Sequence, residues 1–126
     1  MTLPARTTPG VCGVCASRAQ GYGYAPPTRN SRILWVCDDP DCLSLARATY
    51  HMSQNRYDKC EANAISAAGA AAGQYLDELS KTDMAALSEK EWDNFCLRMI
   101  AVYRAQLAWE VAQAHAELTG SDKIPY

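Results

Sequence analysis

Four cysteines near the amino end carry the most specific chemistry in this chain. They fall in two pairs, Cys12-Gly-Val-Cys15 and Cys37-Asp-Asp-Pro-Asp-Cys42, with 21 residues between them. A tetrahedral Zn²⁺ takes four sulfur or nitrogen ligands, with sulfur at about 2.3 Å, and a C-x-x-C turn supplies two of them at little loop cost. Gly13 suits a tight knuckle whose backbone N–H groups face the thiolates. Cys37 ends a short apolar segment. Cys42 falls in the first turn of an expected helix, where the positive end of the helix dipole favours a thiolate.

Knuckle, extended segment, then a helix bearing the last ligand is the order of treble-clef zinc folds. The expected metal set is therefore Cys12, Cys15, Cys37 and Cys42, holding one structural Zn²⁺ per chain. Four cysteine ligands leave no coordination position for an activated water, so such a site stabilises and does not catalyse. Other uses of four thiols are redox chemistry, an iron–sulfur cluster or disulfides. A thioredoxin-type redox pair needs a βαβ context, which is absent here. Disulfides belong to oxidising compartments, and nothing suggests secretion.

The remaining cysteines and histidines offer less. Cys96 lies between Phe95 and Met99 on an apolar helical face and reads as a buried core thiol. Cys60, in Tyr57-Asp-Lys-Cys-Glu61, has no histidine spaced to activate it. His51 follows Cys42 by nine residues and could serve as a ligand only if the cysteine set were incomplete. His115, on an Ala-rich helix, reads as a surface residue. A nucleophilic site needs a base and an orienting carboxylate beside the nucleophile, and no such grouping is signalled. The chain is expected not to be an enzyme.

Between the two cysteine pairs lie Arg18, Tyr22, Tyr24, Arg29, Arg32 and Trp35. Arginines interleaved with aromatics stack on bases and grip phosphates, and they also form protein–protein hot spots. Alternatively, the three aromatics pad a small core around the metal.

The elements that must position these residues are mostly helical. Arg32-Ile-Leu-Trp-Val36 is the one convincing strand signal. Asp39-Pro40 gives an N-cap followed by proline at the first helical position, opening a helix through His51. From about Arg56 to Leu79, Ala62, Ile65, Gly69, Ala72, Leu76 and Leu79 recur at helical spacing. Lys81-Thr-Asp83 breaks that pattern. Ser88-Glu-Lys-Glu91 has the form of a capping box. It opens a helix whose apolar face comprises Trp92, Phe95, Cys96, Met99, Tyr103, Leu107, Val111, Ala114 and Leu118, with Gly120 as its stop. Gly69 and Gly73, one turn apart, are expected to let the last helix pack closely. The acidic residues around the turn, from Asp77 to Asp93, read as a solvated cluster.

The expected fold is mainly α: a small zinc-binding β/loop head, a treble-clef-like finger with four cysteine ligands, followed by a helical hairpin. The expected divisions are a flexible arm at 1–9, the head at 10–52, the hairpin at 53–120 and a tail at 121–126.

Composition sets the outer limits. The chain has 126 residues, 48% hydrophobic and 21% charged, one domain's worth of ordinary globular sequence. That excludes a large multidomain enzyme and a polytopic membrane protein. The net charge of −2 hides an asymmetry. Residues 1–60 carry seven Lys/Arg against four Asp, a net of +3, and residues 61–126 carry five against ten, a net of −5. No signal-peptide pattern opens the sequence, and its most apolar stretch falls short of a membrane span. A cytoplasmic protein with no membrane partner is expected, and the oligomeric state is open.

Several segments together resemble a known group: Cys12-Gly-Val-Cys15, Gly21-Tyr-Gly-Tyr24, Trp35-Val-Cys37, Gly73-Gln-Tyr-Leu-Asp-Glu-Leu-Ser-Lys-Thr-Asp-Met-Ala-Ala-Leu87 and Glu91-Trp-Asp-Asn-Phe95. The chain resembles a family of small phage and prophage zinc-knuckle proteins of unknown function, over about residues 12–107. Its members usually carry a tighter second pair, of Cys-Ser-x-x-Cys type, than the four-residue gap here. The resemblance implies zinc, phage origin and residence in a bacterial host cell. Added to the closed metal site, it leads to the expectation of a non-enzymatic, zinc-stabilised interaction module. Its partner would be a host or phage protein, and its effect inhibition of host machinery such as antiviral defence. The alternative is a nucleic-acid-binding finger using Arg18, Arg29, Arg32 and the neighbouring aromatics.

Overall fold

Asp39 and Pro40 open the first helix in the way their types dictate. The Asp39 carboxylate accepts the Asp41 N–H at 2.9 Å, and α1 runs over Pro40–His51. The chain extends at Met52, and Ser53 then caps α2, Gln54–Leu79, by accepting the Arg56 N–H at 3.3 Å. Ser80 ends α2 in the left-handed conformation, φ 54°, its N–H turned back to the Leu76 and Asp77 carbonyls. A single 3-10 turn, Met84–Ala86, crosses to the last helix. The capping box closes reciprocally there: Ser88 N–H donates to Glu91 Oε1 at 2.8 Å, and Glu91 N–H donates to Ser88 Oγ at 3.1 Å. Helix α3 spans Glu89–Gly120, about 48 Å at the α-helical rise.

The computed structural model describes residues 6–120. Residues 1–5 of the expected arm, the 121–126 tail and the Leu118 side chain lie outside the described residues. Arg6, at the far end of that arm, is anchored. Its guanidinium donates to the Thr49 carbonyl at 2.8 Å and to Gln54 Oε1 at 3.3 Å, and lies 5.0 Å from the Tyr57 ring centroid.

The sheet is a two-stranded antiparallel ribbon of β1, Tyr22–Tyr24, and β2, Leu34–Val36, in the register Tyr22↔Val36, Gly23↔Trp35, Tyr24↔Leu34. The expected strand over 32–36 is thus present but shorter, and β1 carried no strand signal because glycine is depleted in strands.

The fold is mainly helical, with four neighbouring cysteines in a small amino-terminal head. One buried cluster joins the two parts: Val14, Leu34 and Val36 of the head, Tyr57, Cys60 and Ala64 of α2, and Leu107, Val111 and Ala114 of α3. A second, around Ala72, Tyr75 and Phe95, holds the far end of the hairpin.

The buried stripe of α2 differs from the expected one. It runs Tyr57, Cys60, Ala64, Ala68, Ala72 and Tyr75, while Ala62, Ile65 and Gly69 face outward. Alanines on every side of this helix blur the hydrophobic period, and tertiary packing selects the Ala64–Ala68–Ala72 seam against α3. Gly69 and Gly73 therefore do not admit α3. A Cβ added at either would meet nothing within 4 Å. Cys60, not Cys96, is the fully buried thiol of the pair; Cys96 is half-buried.

Candidate metal centre

The first knuckle is built by its own backbone. Cys12 N–H donates to the Ser17 carbonyl at 2.7 Å, Ala16 N–H returns to the Cys12 carbonyl at 2.9 Å, and Ala16 adopts a left-handed φ of 63°. A bridge between Val11 and Arg18 closes the loop. Gly13 faces β2, its N–H donating to the Trp35 carbonyl at 2.8 Å. A Cβ there would stand 2.6 Å from the Arg6 carbonyl oxygen and 2.9 Å from Leu34 Cγ, so only glycine fits. Its own N–H is used in this close approach to the ribbon, and other N–H groups, one of them in the knuckle, face the thiolates. Those of Cys15 and Cys37 reach Cys12, and that of Asp39 reaches Cys37.

The end of β2 and the first turn of α1 bring in the second pair. All four sulfurs lie within 4.8 Å of one another, and all four cysteines are buried. Cys15 Sγ and Cys37 Sγ are 3.8 Å apart. Four sulfurs placed tetrahedrally at the usual Zn–S distance stand about 3.8 Å from each other, so the cluster has the dimensions of a metal cage. That spacing is far beyond a disulfide bond, and all six cysteines of the chain are free thiols.

Hydrogen bonds from the Cys15 and Cys42 thiols hold Cys12 well below the usual thiol range. Cys42, the donor to Cys12 and Cys15, is pushed well above it, and burial pushes Cys37 up to about 11. Four thiolates this close repel one another unless a cation neutralises them, and a bound divalent metal drives such thiols to deprotonate. The cluster can hold a metal ion, with its four buried thiols as the candidate ligands. His51 stands outside it, with Nε2 3.1 Å from the Tyr24 hydroxyl.

Among the other expected binding residues, the aromatics fall on both faces of the ribbon. Cross-strand pairing puts Tyr22 and Tyr24 on the ribbon face shared with Leu34 and Val36, and Trp35 on the opposite face over Gly23. Tyr24 is half-buried, its ring 5.5 Å edge-on from Tyr50. Tyr22 is exposed and Trp35 half-buried. Arg18, Arg29 and Arg32 are exposed on the head.

A feature without a local sequence signal lies beside the head. An apolar groove of about 510 Å³ opens between α2 and α3, lined among others by Ile65, Gly69, Met99, Ile100 and Tyr103, with Arg6, Glu61 and Arg104 as its charged groups. Its residues are brought together by tertiary packing from the arm, the knuckle and both long helices. Among the described residues, no helix is long and apolar enough to cross a membrane.

Fold and site thus define a class: a four-cysteine head braced on a long α-helical hairpin. The chain belongs to DUF6511, a family of unknown function, whose sequence model matches residues 56–126, more than half the chain. The match covers the hairpin from its first turn and begins beyond the four cysteines. No curated protein and no solved structure matches the chain.

Proposed function

We propose that this protein is a non-enzymatic interaction module whose head is stabilised by one structural Zn²⁺ and whose partner is another protein. The observation that carries the reading is the cluster of Cys12, Cys15, Cys37 and Cys42: four buried thiols within 4.8 Å of one another, enough to fill a four-coordinate shell with sulfur. Such a centre fixes a fold and has no open position for a substrate or an activated water. Zinc fits best among metals because it favours tetrahedral thiolate sites. Treble-clef character is supported by the order of knuckle, β-ribbon and helix bearing Cys42. The resemblance to phage zinc-knuckle proteins adds the bacterial cytoplasm as the setting and restraint of host machinery as the purpose.

The hairpin favours a protein partner over nucleic acid. It leaves Ile65, Trp92, Leu97, Ile100 and Trp109 exposed, whereas the head's three aromatics are divided between the two ribbon faces. The test uses the tagged full-length chain, loaded with zinc, in bacterial lysate at low and at several-fold higher salt. The expected result is a stoichiometric protein complex that survives the change. Recovery of nucleic acid alone, lost steeply with salt, or turnover of any substrate abolished by Cys60→Ala would overturn the reading.

A further inference from the structure

Helix α3 carries an outward stripe that the fold itself does not use. Residues Glu89, Asp93, Leu97, Ile100 and Arg104 follow one another at steps of four, four, three and four, the spacing of one helical face. All five are exposed, Leu97 at 62% and Ile100 at 45%. Ile100 and Arg104 border the apolar groove, across which lie exposed Ile65 and Gly69 of α2. No hydrogen bond or ion pair joins Asp93 or Arg104 to another side chain among the described residues.

The stripe is complementary to itself when reversed. Its midpoint falls between Leu97 and Ile100, and Asp93 and Arg104 stand equally far on either side, about 16 Å apart along the helix. We propose that this face is the interface of an antiparallel homodimer, with a second copy of the chain occupying the groove. A two-fold axis through the Leu97–Ile100 midpoint sets Asp93 of one copy against Arg104 of the second copy, twice over. The apolar centre of each stripe lies against the partner's groove, and the acid and base close its rim. The same reversal lays the acidic hairpin turn, with Asp77 and Asp83, towards the partner's basic head.

Gly69 forms part of the groove wall, and a Cβ added there would meet nothing within 4 Å, so the α2 backbone is open to an approaching side chain. In the dimer its bare backbone admits the partner's Ile100 closely.

The experiment is sedimentation equilibrium on the zinc-loaded full-length chain, compared with Asp93→Arg, Arg104→Asp, the double variant and Ile100→Glu. The readout needs only the purified chain, so it stands or falls separately from the proposed partner. The wild type is expected to show a concentration-dependent dimer that weakens with salt. Each single reversal should weaken it roughly tenfold by opposing like charges. The double variant, and an equimolar mixture of the two single variants, should regain it. Ile100→Glu should be monomeric with an unchanged helical circular dichroism spectrum. A wild type monomeric at every concentration, even one whose groove takes up an apolar dye or an amphipathic peptide, would overturn the proposal. So would a dimer indifferent to all these substitutions.

Discussion

The Tyr57 hydroxyl donates a buried 2.8 Å hydrogen bond to the Gly13 carbonyl, joining the first turn of α2 to the middle of the cysteine knuckle across 44 residues. Burial pushes the Tyr57 phenol well above its usual range, so it remains a donor at any physiological pH. The contact couples the two halves of the molecule: whatever holds the knuckle also orients the start of the hairpin.

Tyr57→Phe tests that coupling. The substitution leaves the Gly13 carbonyl buried without this donor, a loss of about 1–3 kcal/mol for an unsatisfied group. The expected outcome in urea denaturation is a lower midpoint with an unchanged slope. Zinc affinity should fall in parallel, because the knuckle loses a brace. A variant equal to wild type in both would mean that the carbonyl finds water.

Removal of the metal should be felt beyond the head. Structural zinc sites contribute about 10–16 kcal/mol of apparent binding free energy in small fingers, comparable with the whole net stability of a domain, about 5–15 kcal/mol. Elemental analysis of purified protein should give one zinc per chain. A strong chelator, or Cys42→Ser, should weaken near-ultraviolet dichroism and loosen the head end of the hairpin, since Val14, Leu34 and Val36 share a buried cluster with Leu107 and Val111. The far end, around Tyr75 and Phe95, should keep its helix longest. Protection from hydrogen exchange, read residue by residue, distinguishes the two ends.

The sequence made some of this structure legible and hid the rest for physical reasons. Asp39-Pro40, Ser88 with Glu91 and the C-x-x-C turn act through atoms within a few residues, so their geometry follows from local chemistry. The bounds of α1 and the start of α3 were therefore readable, as was the cysteine cluster. The face of α2 was not. With alanine around its whole circumference, the Ile65–Gly69 stripe looked as good as the Ala64–Ala68 seam, and only packing against α3 decides between them. The groove joins Arg6, Glu61 and Tyr103 from three segments, and no spacing along the chain announces that. Register, likewise, divides Tyr22 and Tyr24 from Trp35, although the sequence runs them together.

Gly73 gives a direct measure of the misread face. It is exposed within α2, and an added Cβ meets nothing within 4 Å. Gly73→Ala should stabilise the protein by about 0.5–1 kcal/mol, by removing freedom from the unfolded chain and filling no occupied space. A thermal midpoint raised by a few degrees is the expected reading. Destabilisation would show that something packs there after all.

Glu61 supplies a pH dependence whose sign follows from its surroundings. Burial raises its carboxyl above the usual range, and the nearby Asp58 raises it further, while Arg6 opposes both. The folded state therefore holds the proton more tightly than the unfolded chain does. Below the unfolded-state value, near 4.3, the group is protonated in both states and costs nothing. As the pH rises through the folded-state value, ionisation destabilises the fold, and the effect is complete above it. Glu61→Gln should accordingly raise stability at neutral pH and lose that advantage at pH about 4. Paired urea titrations at the two pH values check this. An equal gain at both would assign the effect to packing in the groove, and a loss at neutral pH would show that Arg6 outweighs burial.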